Sequence, residues 1–395
     1  NTQMDISKDD KESIRYESHG RLLSYSIWLI ISVVITSLSY IAFINFTTNN
    51  LITLNKINKN SNNKPNVIIL LADDLSWTSI GQSDVSTVPN NLIENLSLLA
   101  KNGIIMSNYY AQEVCSPSRA SLLTGRYPLS VGMQYGMVNP TFPWGLSLEE
   151  QTIAEVFKNE GYSTYMYGKW HLGHYSPNFL PTSRGFDHFV GFVNGQTYPW
   201  SKRCTEHPAY LDIMEADTSC YYPYNNTDYH EYSTSFYTAR ALEVINKHGS
   251  IDSDPFFLYM AYQAVHDPYY DDNDEFEGGM PDSYLPASIL DSIQSYSDAT
   301  LHREYLKSLY KFDEAVGQIY STLIDNNLMD NTYIIFASDN GGCYRTGGFN
   351  GPYRGSKGSL FEGGVKVDSF ISSPLLKKSG LVYDKLFHVS DWFPT

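Results

Sequence analysis

The sequence predicts an α/β fold, with a mostly parallel central sheet flanked by helices and preceded by one transmembrane helix. Three observations carry that prediction. An almost wholly apolar run, Val67 to Ala72, reads as a strand buried on both faces and ends abruptly in Asp73-Asp74. Apolar strands then alternate with helical patterns as far as Ala337, the rhythm of a parallel sheet. Upstream, no charged side chain occurs between Arg21 and Lys56.

The charge-free stretch comes first along the chain. Leu22 to Phe46 is nearly continuously apolar and would span roughly 37 Å as a helix, enough for a hydrocarbon core of about 30 Å with some tilt. It exceeds a usual signal-peptide core, and no small-x-small cleavage site follows, so an uncleaved signal anchor over 22–46 is expected. Residues 1–21 then form a short cytoplasmic leader and residues 47–65, rich in Asn, Lys, Thr and Ser, a polar stalk. Basic residues flank both ends of the run and barely set its orientation. The sequons at Asn95 and Asn225 place the large C-terminal part in the lumen or outside: in the endoplasmic reticulum, Golgi or lysosome, or at the cell surface. Of the four cysteines, none shows zinc-type spacing; Cys204 and Cys220 bracket a tyrosine-rich stretch and are expected to pair.

From residue 66 to 395 the pattern is that of a folded domain. Asn91 to Lys101 reads as helix, Ile104 to Tyr110 as extended, Leu148 to Asn159 as helix and Tyr162 to Tyr167 as extended. A helix near Ser235 to Lys247, a strand Pro255 to Tyr262, a long helix from about Arg303 to Asn326 and a strand Thr332 to Ala337 follow. Thr197 to Tyr232 and Asp267 to Tyr284 read as insertions. The acidic run Asp271 to Glu275 in the second lacks the glycine and terminal glutamate of an EF-hand loop and reads as solvated surface. A formal net charge of -16 argues against nucleic acid as a partner, so a pocket for an anionic substrate must be locally positive.

Ligands of open α/β sheets gather outside the carboxyl ends of the strands, and the chemistry-bearing residues fall there repeatedly. Asp73-Asp74, Lys169-Trp-His171, His266 and Asp339-Asn340 each follow a predicted strand. Two carboxylates about 4 Å apart repel by about 4 kcal/mol at an effective dielectric near 20, and a third makes a bound cation nearly obligatory. Asp73, Asp74, Asp339 and the Asn340 amide oxygen are hard ligands, which suits Ca²⁺ or Mg²⁺ and disfavours zinc. Cys115 precedes a Ser-Pro pair that can open a helix, with Arg119 one turn on; such an end binds anions. Arg119, Lys169 and Lys357, with His171 and His266 as titratable partners, are what a tetrahedral oxyanion needs around it.

The run Cys115-Ser-Pro-Ser-Arg119-Ala-Ser-Leu-Leu-Thr-Gly125 resembles the signature of the type I sulfatases. Gly161-Tyr-Ser-Thr-Tyr-Met-Tyr-Gly-Lys169-Trp-His171-Leu-Gly is similar to that family's second signature, and Ala264-Val-His266-Asp-Pro, Asp339-Asn-Gly-Gly and Ser359-Leu-Phe-Glu-Gly-Gly-Val match it in the expected order. Ile371-Ser-Ser-Pro-Leu-Leu and His388-Val-Ser-Asp-Trp-Phe-Pro-Thr395 look most like its arylsulfatase B branch.

The resemblance implies an alkaline-phosphatase-like fold and a sulfuric ester hydrolase acting on an aryl sulfate or a sulfated carbohydrate such as N-acetylgalactosamine 4-sulfate in glycosaminoglycans. It implies that a formylglycine-generating enzyme converts Cys115 to the catalytic aldehyde, whose hydrate attacks sulfur. Calcium would be held by Asp73, Asp74, Asp339, Asn340 and the formylglycine. Arg119 would stabilise the ionised hydrate, Lys169 and Lys357 would hold sulfate, His266 would protonate the leaving oxygen or bind sulfate beside it, and His171 would orient or deprotonate the hydrate. Members of the family continue past Asp391-Trp-Phe-Pro into a smaller subdomain, so a catalytic domain truncated at its C-terminus is expected. Two other readings stay open: an inert binder of sulfated glycans, and a phosphate-ester hydrolase of the same superfamily.

Overall fold

The computed structural model describes residues 64–77, 79–80, 88–218, 221–223, 231–249, 253–270 and 279–395, and before them Val34, Ser37 and Tyr40. The chain divides into two units, Asn1–Asn63 and Lys64–Thr395. Of the first, only those three residues are described, each helical and exposed. The expected leader, membrane span and nearly all of the stalk therefore lie outside the described residues, among which no helix is long and apolar enough to cross a membrane.

In the second unit the apolar run is strand β1 (Asn66–Ala72), followed by β2 (Ile104–Met106), β3 (Tyr109–Tyr110), β4 (Ser163–Lys169) and β5 (His188–Phe192). Then come β6 (Met214–Asp217), β7 (Tyr221–Pro223), β8 (Phe256–Ala261) and β9 (Thr332–Ser338). The last are β10 (Ser369–Ser372), β11 (Leu381–Tyr383) and β12 (Phe387–His388). Ten of the twelve form one sheet in the order β11-β2-β10-β9-β1-β8-β4-β5-β6-β7; β3 and β12 pair separately. Its centre, β9-β1-β8-β4-β5, is parallel throughout.

Alternation along the central strands divides the interior into two cores. Ile68 and Leu70 of β1 and Leu258 and Met260 of β8 enter one; Ile69 and Leu71 with Phe257 and Tyr259 enter the other. The first core is closed by helices α1 (Glu94–Lys101), α4 (Ser233–His248), α5 (Ala287–Tyr296) and α6 (Thr300–Asp325). The second is closed by α2 (Cys115–Thr124) and α3 (Ile153–Asn159); a one-turn helix α7 (Glu362–Val365) follows later in the chain. The structure thus has the expected α/β architecture, but its sheet is mixed. β10 runs antiparallel to β9 and β2, and residues 197–232, read as an insertion, contribute β6 and β7 as an antiparallel extension beyond β5.

The expected start of one helix is corrected by local chemistry. The helix expected from Leu148 begins at Ile153, where Thr152 and Glu155 form a reciprocal capping box. The carbonyls of Leu146, Ser147 and Glu150 are instead taken by the buried Arg184 guanidinium. Asn95, expected to carry a glycan, lies on α1 with its amide nitrogen donating to the Asp313 carboxylate at 2.8 Å and the Asp313 carbonyl at 3.2 Å. Asp313 also accepts the backbone N–H groups of Asn95 and Leu96, capping α1 from α6, so this amide nitrogen is already committed to packing. Cys204 is a buried free thiol; its expected partner Cys220, the second sequon at Asn225 and the acidic run 271–275 lie outside the described residues.

Candidate active site

Because β9, β1, β8 and β4 are parallel neighbours, the segments leaving their carboxyl ends lie side by side. They carry Asp339-Asn340, Asp73-Asp74, His266 and Lys169 with His171. Backbone bonds knit these ends together: Asp73 N donates to Ala264 O at 3.0 Å, Val265 N to Asp73 O at 2.9 Å and Asp339 N to Ala72 O at 3.0 Å. Asp74 (φ 59) and His171 (φ 57) adopt the left-handed conformation, which Asp and His tolerate better than most residues. Against this edge stands the start of α2, whose first residue, Cys115, follows an extended Val114. Every residue of α2 is buried.

Cys115 Sγ donates to Asp73 Oδ1 at 3.4 Å, and Lys169 Nζ donates to Asp73 Oδ2 at 2.6 Å. One turn along α2, Arg119 donates to Asp339 Oδ2 at 2.8 Å and to the Lys169 carbonyl at 3.2 Å. Asp74 N donates to Asp339 Oδ1 at 3.2 Å, and Asn340 Nδ2 to Asp74 Oδ1 at 2.7 Å. Lys357 Nζ meets both Asp74 oxygens, at 2.8 and 2.9 Å, and His266 Nε2 at 2.7 Å. His171 is brought to the same region by its backbone, its carbonyl accepting from Ser116 Oγ at 2.9 Å. Every catalytic and ligand residue expected from the sequence is therefore gathered in one place.

Charge in this site is closely balanced, three carboxylates against Arg119, Lys169 and Lys357. Burial alone would raise Asp73, yet Lys169, His266, Arg119 and Lys357 hold it well below the usual carboxylate range. Asp339 goes the other way, pushed up to about 6 by burial and by the Asp73 charge. Burial disfavours the Lys357 cation, but Asp74 and its neighbours outweigh this and hold it well above the usual lysine range. Burial and then the Asp73 charge push the Cys115 thiol up to about 12, so at neutral pH it is protonated and a poor nucleophile as it stands. His171 is driven well below the usual imidazole range by burial and by Lys169 and Arg119, and is neutral. Exposure locates the mouth: Cys115, Asp73, Asp339, Arg119 and Lys169 are 0 % exposed, His266 8 %, and the Lys357 side chain 13 %.

A hard divalent cation fits these residues. Ligand atoms of Asp73, Asp74, Cys115 and His266 lie within 4.8 Å of one another. The Asn340 Oδ1 atom is buried without a hydrogen-bond partner, as an oxygen meant for a cation would be. His266 joins this cluster, whereas the sequence pointed to it as a proton donor or a sulfate-binding group and not as a ligand. Asp339 and Asn340 attach to the cluster through Asp74.

The sulfatase family profile matches residues 65–395, the whole of the described second unit but its first residue. The chain belongs to the sulfatase family. It is 36 % identical over 336 residues to mouse arylsulfatase J, covering 84 % of this chain and 52 % of that protein. It is 31 % identical over 346 residues to human N-acetylgalactosamine-6-sulfatase, covering 84 % of this chain and 61 % of that one. Among solved structures, Ps i-CgsB superposes with a TM-score of 0.69 at 28 % identity, covering 84 % of this chain and 70 % of the other. This sulfatase chain thus spans between about half and three-fifths of the length of the curated relatives it matches. Those relatives do not single out arylsulfatase B, the branch suggested by residues 371–376 and 388–395; the family is shown, and that branch is not.

Three residues of the sulfatase site carried no signal in the sequence. Ser116 was read as a helix opener, Val138 takes part only through its backbone, and Gly195 is present for its lack of a side chain. A Cβ at Gly195 would lie 3.0 Å from His171 Cε1 and Nε2.

Proposed function

We propose that this chain is a sulfuric ester hydrolase of the arylsulfatase type, acting on sulfated sugars such as the N-acetylgalactosamine sulfates of glycosaminoglycans. The observation that carries this reading is Cys115, buried at the start of α2 beside Asp73, with Arg119, Lys169 and Lys357 paired to the neighbouring carboxylates of Asp339, Asp73 and Asp74. The names of two relatives, N-acetylgalactosamine-6-sulfatase and a Ps i-CgsB complex with k-i-k-neocarrahexaose, support a sugar ester as substrate.

Formylglycine made from Cys115 would supply the hydrated aldehyde that attacks sulfur, and Ca²⁺ or Mg²⁺ held by Asp73, Asp74, Asp339, Asn340 and that side chain would supply Lewis acidity. The three cations of the site then have work that its three carboxylates alone would not require. Lys169 and Lys357 bind sulfate oxygens, and Arg119, one turn along the nucleophile's own helix, holds Asp339 and faces Asp73. His266, at the mouth, hands a proton to the departing alcohol oxygen. His171, neutral and buried, accepts a hydrogen bond from the nucleophile hydroxyl. Conversion of Cys115 requires a formylglycine-generating enzyme as partner. The reading therefore includes a luminal or extracellular catalytic part, with the apolar run 22–46 as its anchor.

A phosphate-ester hydrolase is the weaker reading. The nucleophile position holds Cys rather than Ser or Thr, and His266 is the single histidine in the clustered ligand set among the described residues. Sulfate release from an aryl sulfate and from sulfated N-acetylgalactosamine, measured beside the matched phosphate esters, tests the assignment. Turnover of sulfate esters that is lost in Cys115→Ala supports it; turnover of the phosphate esters alone, or equal activity in Cys115→Ala, overturns it.

A further inference from the structure

Ser116, directly after the nucleophile position, is 0 % exposed and has both of its hydrogen-bonding directions used. Its hydroxyl accepts from Val138 N at 3.1 Å and donates to the His171 carbonyl at 2.9 Å. The ring closes through the imidazole, since His171 Nε2 lies 3.2 Å from the Val138 carbonyl. A carbonyl can only accept, so Nε2 carries the proton and Nδ1 bears the lone pair. Nδ1 is buried and has no hydrogen-bond partner.

We propose that Ser116 is a positioning residue, whose hydroxyl ties Val138 and His171 to the first turn of α2 and thereby fixes the imidazole with Nδ1 as the acceptor presented to the reacting hydroxyl. The argument is geometric. Residues 138 and 171 lie on separate loops, and His171 sits in the left-handed conformation, a state that persists when surrounding contacts over-determine it. One hydroxyl bonds to both loops from the residue next to Cys115, so any shift of the nucleophile carries its acceptor with it. Gly195 closes the remaining side of the ring. Signature residues at the strand ends bring the right groups to the site; Ser116 sets the tautomer and angle of one of them.

The proposal rests on the sulfatase reading for the identity of the reacting hydroxyl, and two measurements separate the two. The first is kinetic, on Ser116→Ala with its aldehyde content determined by mass spectrometry, so that any effect on modification is divided out. Turnover per aldehyde is expected to fall about 10- to 100-fold with KM little changed, and Ser116→Thr to recover part of the loss. An unchanged turnover per aldehyde overturns the proposal. The second needs no activity: nuclear magnetic resonance of isotope-labelled histidine, with the His171 signal identified by its loss in His171→Gln. The intact protein is expected to show a single Nε2–H tautomer that becomes mixed in Ser116→Ala. An Nδ1–H tautomer in the intact protein, or no change in the variant, overturns the proposal. If the intact protein hydrolyses no sulfate ester, the sulfatase reading fails and the tautomer measurement still decides the role of Ser116.

Discussion

Lys357 Nζ lies 2.7 Å from His266 Nε2, and the other ring nitrogen, Nδ1, faces the Asp267 carbonyl. Since that carbonyl can only accept, His266 carries a proton at Nδ1 and accepts a Lys357 N–H at Nε2, so a proton passed from Nε2 to the leaving oxygen is drawn from the Lys357 ammonium. The same ammonium holds both oxygens of Asp74. Proton donor, sulfate-binding cation and metal ligand are thus linked through one nitrogen at the most exposed part of the site.

His266→Gln keeps a polar group at the mouth but cannot pass a proton. For a sugar sulfate, whose leaving alcohol needs that proton, turnover should fall about 10²- to 10⁴-fold. For an aryl sulfate with an acidic phenol the loss should be much smaller. Steady-state rates on both substrate types check this; equal losses would remove His266 from the proton-transfer step.

Removal of the proposed divalent cation is the second test. With three buried carboxylates and an orphaned Asn340 Oδ1, the folded chain should bind the ion far better than the unfolded one. Chelation should lower Tm and abolish turnover, and Ca²⁺ should restore both while Zn²⁺ should not. Unchanged Tm and activity after exhaustive chelation would contradict the metal site.

Gly195→Ala adds one methyl group 3.0 Å from two atoms of the His171 ring, closer than the ring accepts without moving. Turnover should fall about 10-fold while the far-ultraviolet spectrum stays unchanged. Wild-type kinetics in this variant would show that the ring has slack.

Asp368, which takes no part in the proposed chemistry, offers a pH test. It is 0 % exposed, and among the described residues no close hydrogen bond reaches either carboxyl oxygen, the Ile80 backbone N–H approaching it only weakly. Burial raises it well above the ordinary value of 3.8, and the Ile80 backbone N–H offsets this only in part. The folded state therefore holds this proton more tightly than the unfolded one, so its stabilising contribution is full below 3.8 and is lost as pH rises toward the folded value. Asp368→Asn should match the wild type in Tm at about pH 4 and exceed it at about pH 8. Parallel Tm curves would contradict the buried, protonated acid.

The site was legible in the sequence to the extent that it rests on strand ends. Apolar runs that stop at Asp73, Lys169, His266 and Asp339 announce their register, because a parallel strand buried on both faces leaves no other place for a charge. The two signatures around Cys115 and Lys169 supplied the rest of the chemistry. What the sequence did not show depends on partners distant in the chain. Helix α3 starts at Ile153 because Arg184 takes the carbonyls before it, and Asn95 is committed to Asp313 across 218 positions. The short strands β6 and β7 lack the apolar run that marks β1. The Ser116 contacts run to backbone atoms of Val138 and His171, which no side-chain pattern encodes.

Mass spectrometry of the peptide containing Cys115, from the full chain made in a host with a competent secretory pathway, tests the central claim most directly. The predicted result is the mass of formylglycine or its hydrate at position 115, lost when Arg119 or Pro117 is replaced. An unmodified cysteine at that position, in a host that modifies other sulfatases, would contradict the assignment of this site to sulfate ester hydrolysis.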